Sequence, residues 1–167
     1  LHTHVDKFEA SVRWHDVDRL SESRLIVADI DEDTVFVVNT TTDVTEWQWR
    51  AQSEYPPASG GSYPDDWTHI NDVDVIGEGR YLASLRNQDQ VVFIDRETGL
   101  QEEWTLGEED NDSTLYEQHN PDYIPRENGG PAVIVSDSEN NRIVEYQRTA
   151  DGDWRQSWAW QTVGLQW

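Results

Sequence analysis

The sequence predicts an all-β protein, and within that class an arc of a β-propeller of about three four-stranded blades. Three observations carry this expectation. Between Asp66 and Asp95 the chain alternates short apolar runs with turn residues: Asn71 to Ile76, Gly77 to Gly79, Tyr81 to Leu85, Asn87 to Gln90, Val91 to Ile94. Such punctuation is the mark of a β-meander. The pattern also repeats at an offset of 56 residues, which lays His15-Asp16-Val17-Asp18 on Asn71-Asp72-Val73-Asp74 and aligns Ile26 to Asn39 with Leu82 to Asp95 without a gap. A third copy opens at His119 and runs through Val133 to Tyr146, with a few extra residues around Arg126 to Gly130. Repeats of this length built from short strands indicate propeller blades.

Taken in order, residues 1 to 14 read as the end of a preceding blade. His2 and His4 share one strand face there, a spacing that suits a metal but equally a solvent-facing strand. A blade and a long loop occupy 15 to 66, with strands expected at Val17–Leu20, Leu25–Ala28, Val35–Val38 and Val44–Trp49. The loop from Ala51 to Asp66 is rich in Pro, Gly and Ser and has the length of a functional surface loop. A second blade spans 67 to 118, with a fourth strand expected at Gln101–Leu106. The run Glu108 to Asp112 reads as a solvated loop, because its Asp/Asn spacing fits no calcium-loop pattern. A third blade and the start of another fill 119 to 167, with a polar hairpin turn at Ser136 to Arg142. Trp47, Trp49, Trp104, Trp154, Trp158 and Trp160 recur on the outer strands and are expected to pack between blades.

Three blades do not close a ring, which usually needs about four to eight. The expected partners of the segment are therefore the remaining blades of a parent chain or a second copy of itself. An open arc exposes two sheet edges, and as a lone molecule it is expected to dimerise.

The charge balance narrows the function. There are 34 acidic against 12 basic residues, a net charge of −22, and the one lysine is Lys7. Acid runs along the whole chain, so it is not an acidic tail. Nucleic acid and anionic membranes call for basic patches and are excluded as partners. Nine Trp, six Tyr and a regular strand pattern oppose disorder. What remains is a surface suited to very high salt, where the screening length is about 3 Å at 1 M. With no cysteine there is neither a disulfide nor a thiolate site. No apolar run is long enough to span a membrane. Two Asn-x-Ser/Thr triplets, at Asn39 and Asn111, are compatible with an extracellular or cell-surface location.

The chemistry-bearing residues recur with the blades. His15, His69 and His119 stand at or near the start of a blade's innermost strand, which in a propeller lines the central channel. Equivalent positions then converge on one axis. Arg86, at the end of a second strand, can face the same mouth. Spacing leaves three readings open. One makes the histidines structural anchors. Another makes them three imidazole ligands for a metal such as zinc. The third is an anion site, with a nucleophilic histidine and Arg86 as a planar two-pronged donor.

Asp66-Trp67-Thr68-His69-Ile70-Asn71-Asp72, followed by Ser84-Leu85-Arg86-Asn87-Gln88, resembles the arylsulfotransferase family of six-bladed propellers, in which a Trp-x-His-x-Asn motif precedes a Ser-x-Arg-His-Gln turn. The likeness extends to His15 through Leu20 and to Gln118-His119-Asn120, and covers most of residues 12 to 160. It is nearest to arylsulfotransferase-like proteins of salt-loving archaea. The hairpins also resemble NHL-type repeats, a likeness of fold only. The resemblance implies transfer of a sulfuryl group from an aryl sulfate ester to a phenol through a histidine intermediate, with no cofactor and no metal. It implies His119 as nucleophile, His15, His69 and Arg86 as holders of the sulfuryl oxygens or proton carriers, and Trp67 and Asn71 as substrate-binding residues. Asn87 departs from the family, standing where its turn usually has histidine, and the cysteine pair of exported bacterial members is missing. The segment alone is expected to be inactive. The alternatives are a non-catalytic extracellular propeller that serves as a binding platform, or a His-ligated metal site.

Overall fold

The computed structural model describes residues 13–126 and 129–161, and His2 and His4 lie outside them. Twelve strands form three four-stranded antiparallel sheets, each in simple meander order. The first holds β1 (Trp14–Arg19), β2 (Arg24–Asp29), β3 (Thr34–Asn39) and β4 (Val44–Arg50). The second holds β5 (Ile70–Gly77), β6 (Arg80–Leu85), β7 (Gln90–Asp95) and β8 (Gly99–Leu100). The third holds β9 (His119–Ile124), β10 (Ala132–Asp137), β11 (Arg142–Arg148) and β12 (Trp154–Gln161). This is the architecture of propeller blades. Among the described residues no helix is long and apolar enough to cross a membrane.

The middle sheet is buried on both faces, which explains the unbroken apolar run Val91 to Ile94. Side chains alternate across a strand. Tyr81, Ala83, Val92 and Ile94 therefore pack on Ile26, Val35, Val37 and Trp49 of the first sheet. Leu82, Val91 and Phe93 pack on Val133, Val135, Val144 and Tyr146 of the third.

Two expectations are corrected. Gln101–Leu106 is not a fourth strand. The edge strand β8 is two residues long, a 3-10 turn follows at Glu102–Trp104, and only Leu106 rejoins the sheet, bridging Val91. Trp104 turns instead against Phe93, at 5.5 Å between rings, and under the Arg148 guanidinium, 4.0 Å above its centre. Nor are all the outer tryptophans packed between blades: Trp158 and Trp160 on β12 are half exposed, whereas Trp49 is buried.

The innermost strands β1, β5 and β9 lie side by side. Each has a bulge at its start: between Trp14 and Asp16, between Ile70 and Asp72, and opposite Ile134–Ser136. A bulge re-aims the extra residue. His15 and Asn71 are those residues in the first two strands. Downstream, carboxylates of one inner strand accept from backbone amides of the next. Asp16 takes the N–H of Val73 (2.9 Å) and Asp18 that of Val75 (3.4 Å). The Tyr123 amide donates to Asp74 in the same way.

The series breaks once. The place facing Asp72, one residue before Asp122, is Pro121, which has no N–H to give. Asp72 Oδ1 keeps only a long contact with Asn120 Nδ2 (3.5 Å), and Oδ2 is buried without a partner. Burial first, then the charges of Asp16, Asp74 and Asp122, push the Asp72 carboxyl up to about 8. Burial and neighbouring carboxylates also raise Asp74, to about 6.

A raised native pKa means that the folded state holds a proton which the unfolded chain, near pH 3.9, has released. The stability from Asp72 is thus full below about pH 4 and lost as pH rises towards about 8. Pro121→Val supplies the missing amide, and its stability is expected to fall less between pH 5 and 8 than the parent's. Denaturant midpoints across that range provide the check, and an unchanged pH slope contradicts the assignment.

Candidate active site

His119 begins β9 in a bed built by the residues around it. Its Nδ1–H donates to the Glu117 carbonyl (3.0 Å), with Ser138 Oγ also at 3.0 Å. A carbonyl only accepts, so the proton of the neutral ring sits on Nδ1 and the lone pair on Nε2. Burial first, and then the neighbouring Arg86, His69 and His15, hold the His119 pKa below the ordinary imidazole value, against the Glu117 carbonyl, which raises it. The ring therefore stays neutral at neutral pH, the state in which Nε2 is a nucleophile.

The other predicted groups gather around it. The His15 and His69 rings are 5.8 Å apart. His15 reaches across to the next inner strand, where Nδ1–H donates to the Asn71 carbonyl (2.9 Å). His69 sits just before β5 in a left-handed conformation (φ 48°), and its Nδ1 pairs with Asp66 Oδ1 (2.8 Å). All three histidines thus commit Nδ1 to an acceptor and leave Nε2 available. Arg86 is pinned by an ion pair with Glu117 and by donation from Nη1 to Asn87 Oδ1 (2.9 Å). Asn87 in turn donates to the Asp66 carbonyl (2.6 Å), tying the arginine to the loop that carries His69.

Trp67 and Asn71 are placed differently from the other four. Trp67 is fully buried, and its indole N–H donates to the Ser59 carbonyl (2.5 Å). Asn71 is buried, and its amide donates to the Gln118 carbonyl (2.9 Å). Both side chains are buried and bonded into the framework around the site, whereas none of the other four groups is fully buried.

Sequence reasoning missed three supports. Gln118 is fully buried, and its Nε2 donates to Ser84 Oγ (3.1 Å) and to the carbonyls of Leu85 (3.2 Å) and Gln90 (2.8 Å). It fastens the residue before His119 to the middle sheet. Asp33 and Asp89 occupy the same left-handed turn position in successive blades (φ 50° and 54°). Asp33 Oδ1 accepts from the Thr68 amide (3.0 Å), and Asp89 Oδ1 from the Glu117 amide (2.8 Å). Each therefore fixes the backbone leading into the next blade's histidine. Their offset of 56 residues was the available signal.

The loop between Ala51 and Asp66 folds over this end of the middle sheet. Tyr55 donates to Gln90 (2.8 Å), and Glu109 caps the Gly60 amide. Gly60 to Ser62, Asp66, Asn87, Asp89, Tyr116 and Glu117 line an open polar cavity of about 330 Å3 beside Arg86. Among the described residues no three His, Cys, Asp or Glu side chains converge as a metal cage.

The arylsulfotransferase (ASST) family profile matches residues 4–155. The chain belongs to the arylsulfotransferase family. No curated protein matches it. Among solved structures it resembles a streptogramin B lyase, with a TM-score of 0.54 at 10% identity over 86% of this chain and 39% of that one. It also resembles virginiamycin B lyase from Staphylococcus aureus, with a TM-score of 0.52 at 10% identity over 84% and 39% of the two chains. The periplasmic gluconolactonase PpgL of Pseudomonas aeruginosa gives 0.50 at 15% identity over 93% and 42%. At these identities the likeness is one of fold, that of a β-propeller. The chain spans 39–42% of the length of these structures.

Within the arylsulfotransferase frame, Asn87 keeps a role at the turn where histidine is usual, as the bracket between Arg86 and Asp66. Replacing Gln118 by leucine leaves the buried carbonyls of Leu85 and Gln90 without their side-chain donor. The expected loss is about 1–3 kcal/mol of unfolding free energy, read from denaturant titration. A midpoint equal to the parent's contradicts the role assigned to Gln118.

Proposed function

We propose that this site transfers a sulfuryl group from an aryl sulfate ester to a phenol through a sulfohistidine at His119. The observation that carries the reading is the neutral ring of His119, with its lone pair on Nε2 and Arg86 in the same electrostatic neighbourhood. In the first half-reaction Nε2 attacks sulfur, an N–S bond forms, and the S–O bond to the aryl group breaks. The phenolate leaves with the electron pair. Arg86 stabilises the charge on the sulfuryl oxygens. In the second half an acceptor phenol attacks sulfur and the N–S bond breaks. The phenol's proton passes to a neighbouring imidazole. His69 suits this role, because Asp66 stands on its far nitrogen and steadies the positive ring that forms. His15 is the second group placed to hold a sulfuryl oxygen or relay a proton. The steps need no metal or other cofactor.

The test is incubation of the full-length chain with 4-nitrophenyl sulfate, followed by intact-mass analysis. The parent is expected to release 4-nitrophenol and gain one sulfuryl adduct. His119→Ala is expected to lose both by at least about a hundredfold while keeping its fold. A folded parent that forms no adduct and releases no 4-nitrophenol favours the binding-platform reading instead.

The acid excess supports a second part of the proposal, that the protein works at high salt. Its net charge of −22 is self-repelling in dilute buffer. Melting temperatures are expected to climb steadily from dilute to molar potassium chloride; a flat or falling trend removes this part and leaves the chemistry untouched.

A further inference from the structure

Glu117 is attached at every polar group it has. Its N–H donates to Asp89, its carbonyl accepts from His119, and its carboxylate holds Arg86. Its φ of 48° is a conformation that a residue with a side chain adopts at a cost and keeps only when its surroundings impose it. The backbone being pinned on both sides, the carboxylate cannot leave the arginine by drift of the chain. The ion pair is also shielded, with side-chain exposures of 24% for Arg86 and 29% for Glu117, so water and salt screen it less than a surface pair.

The consequence is one of charge. Arg86 is the group that meets an incoming anion, and it already carries a counterion. The cavity beside it adds Asp66 and Asp89, and no lysine or arginine lines that cavity. His119 is neutral. An anion that docks on Arg86 therefore does so next to a carboxylate, with no lysine or second arginine lining the cavity beside it. A sulfate monoester brings one negative charge. A phosphate monoester of the same shape brings about 1.5 to 2 at neutral pH. The second charge adds a repulsion from the Glu117 carboxylate.

We propose that Glu117 sets the charge preference of this site: held on Arg86, its carboxylate admits the singly charged sulfate monoester and turns away the doubly charged phosphate monoester. This rests on the reading of the site as a sulfuryl-transfer centre.

The test is calorimetric titration of the full-length chain carrying His119→Asn, so that neither ester turns over, with 4-nitrophenyl sulfate and 4-nitrophenyl phosphate. The sulfate ester is expected to bind at least about tenfold tighter. Glu117→Gln, added to that background, is expected to bring the two within about threefold, chiefly by tightening the phosphate ester. Glu117→Asp keeps the charge and is expected to keep the preference; a melting curve for each variant confirms that it is folded. An unchanged preference in folded Glu117→Gln, or failure of both esters to bind, overturns the proposal. Release of 4-nitrophenol by the chain with His119 intact is scored separately. Turnover with an unchanged preference sinks the charge filter alone. The expected preference without turnover sinks the transfer chemistry and leaves the filter standing.

Discussion

The structure depends on one kind of contact: a polar side chain of one blade bonded to the backbone of the next. Apolar packing between sheets is strong but tolerant of sliding, because it has no direction. A hydrogen bond to a particular amide does not slide. Asp16 and Asp18 fix β1 against β5, Asp33 fixes the approach to His69, and Asp89 fixes the approach to His119. His15 and Asn71 extend the series, each reaching an adjacent blade's carbonyl. The blades are thereby held at a set spacing and rotation, and the histidines meet because the blades do.

How far this was legible in the sequence follows from the range of each interaction. The strands were, because alternation and turn residues are local. The 56-residue offset was as well, since it sets β1, β2 and β3 on β5, β6 and β7. The three histidines come near one another because they stand at or near inner-strand starts, and Arg86 follows the end of β6 in the same neighbourhood. The segment Gln101–Leu106 was misjudged because an edge strand has only one neighbour, and Trp104 gains more from Phe93 and Arg148 than from a ladder. The exposure of Trp158 and Trp160 was equally out of reach, because it depends on what lies against β12.

The supports were hidden for a different reason. Gln118, Asp89 and Glu117 act on partners 28 to 34 residues away, and which backbone group they meet is known only once two blades are docked. In the sequence each is an ordinary polar residue near a turn. Asp72 is the instructive case. It sits in the same Asp-Val-Asp run as Asp16, yet it lacks the backbone donor that Asp16 has, because Pro121 takes the place that Val73 fills for Asp16. One missing N–H turns an amide-capped carboxylate into a buried acid.

The three histidines are separated by the same logic. Each spends its Nδ1 on an acceptor, so each offers Nε2, and composition gives no way to rank them. What differs is the acceptor. His119 and His15 give their protons to neutral carbonyls, which fix a tautomer but bring no full negative charge to a positive ring. His69 faces the Asp66 carboxylate, which does stabilise one. His119 is also the ring whose burial opposes charge. A nucleophile must keep its lone pair while a cation stands near, and a proton carrier must accept charge at little cost. Under the proposed transfer, the backbone carbonyl of Glu117 and the side chain of Asp66 answer those two opposite demands, one at His119 and the other at His69.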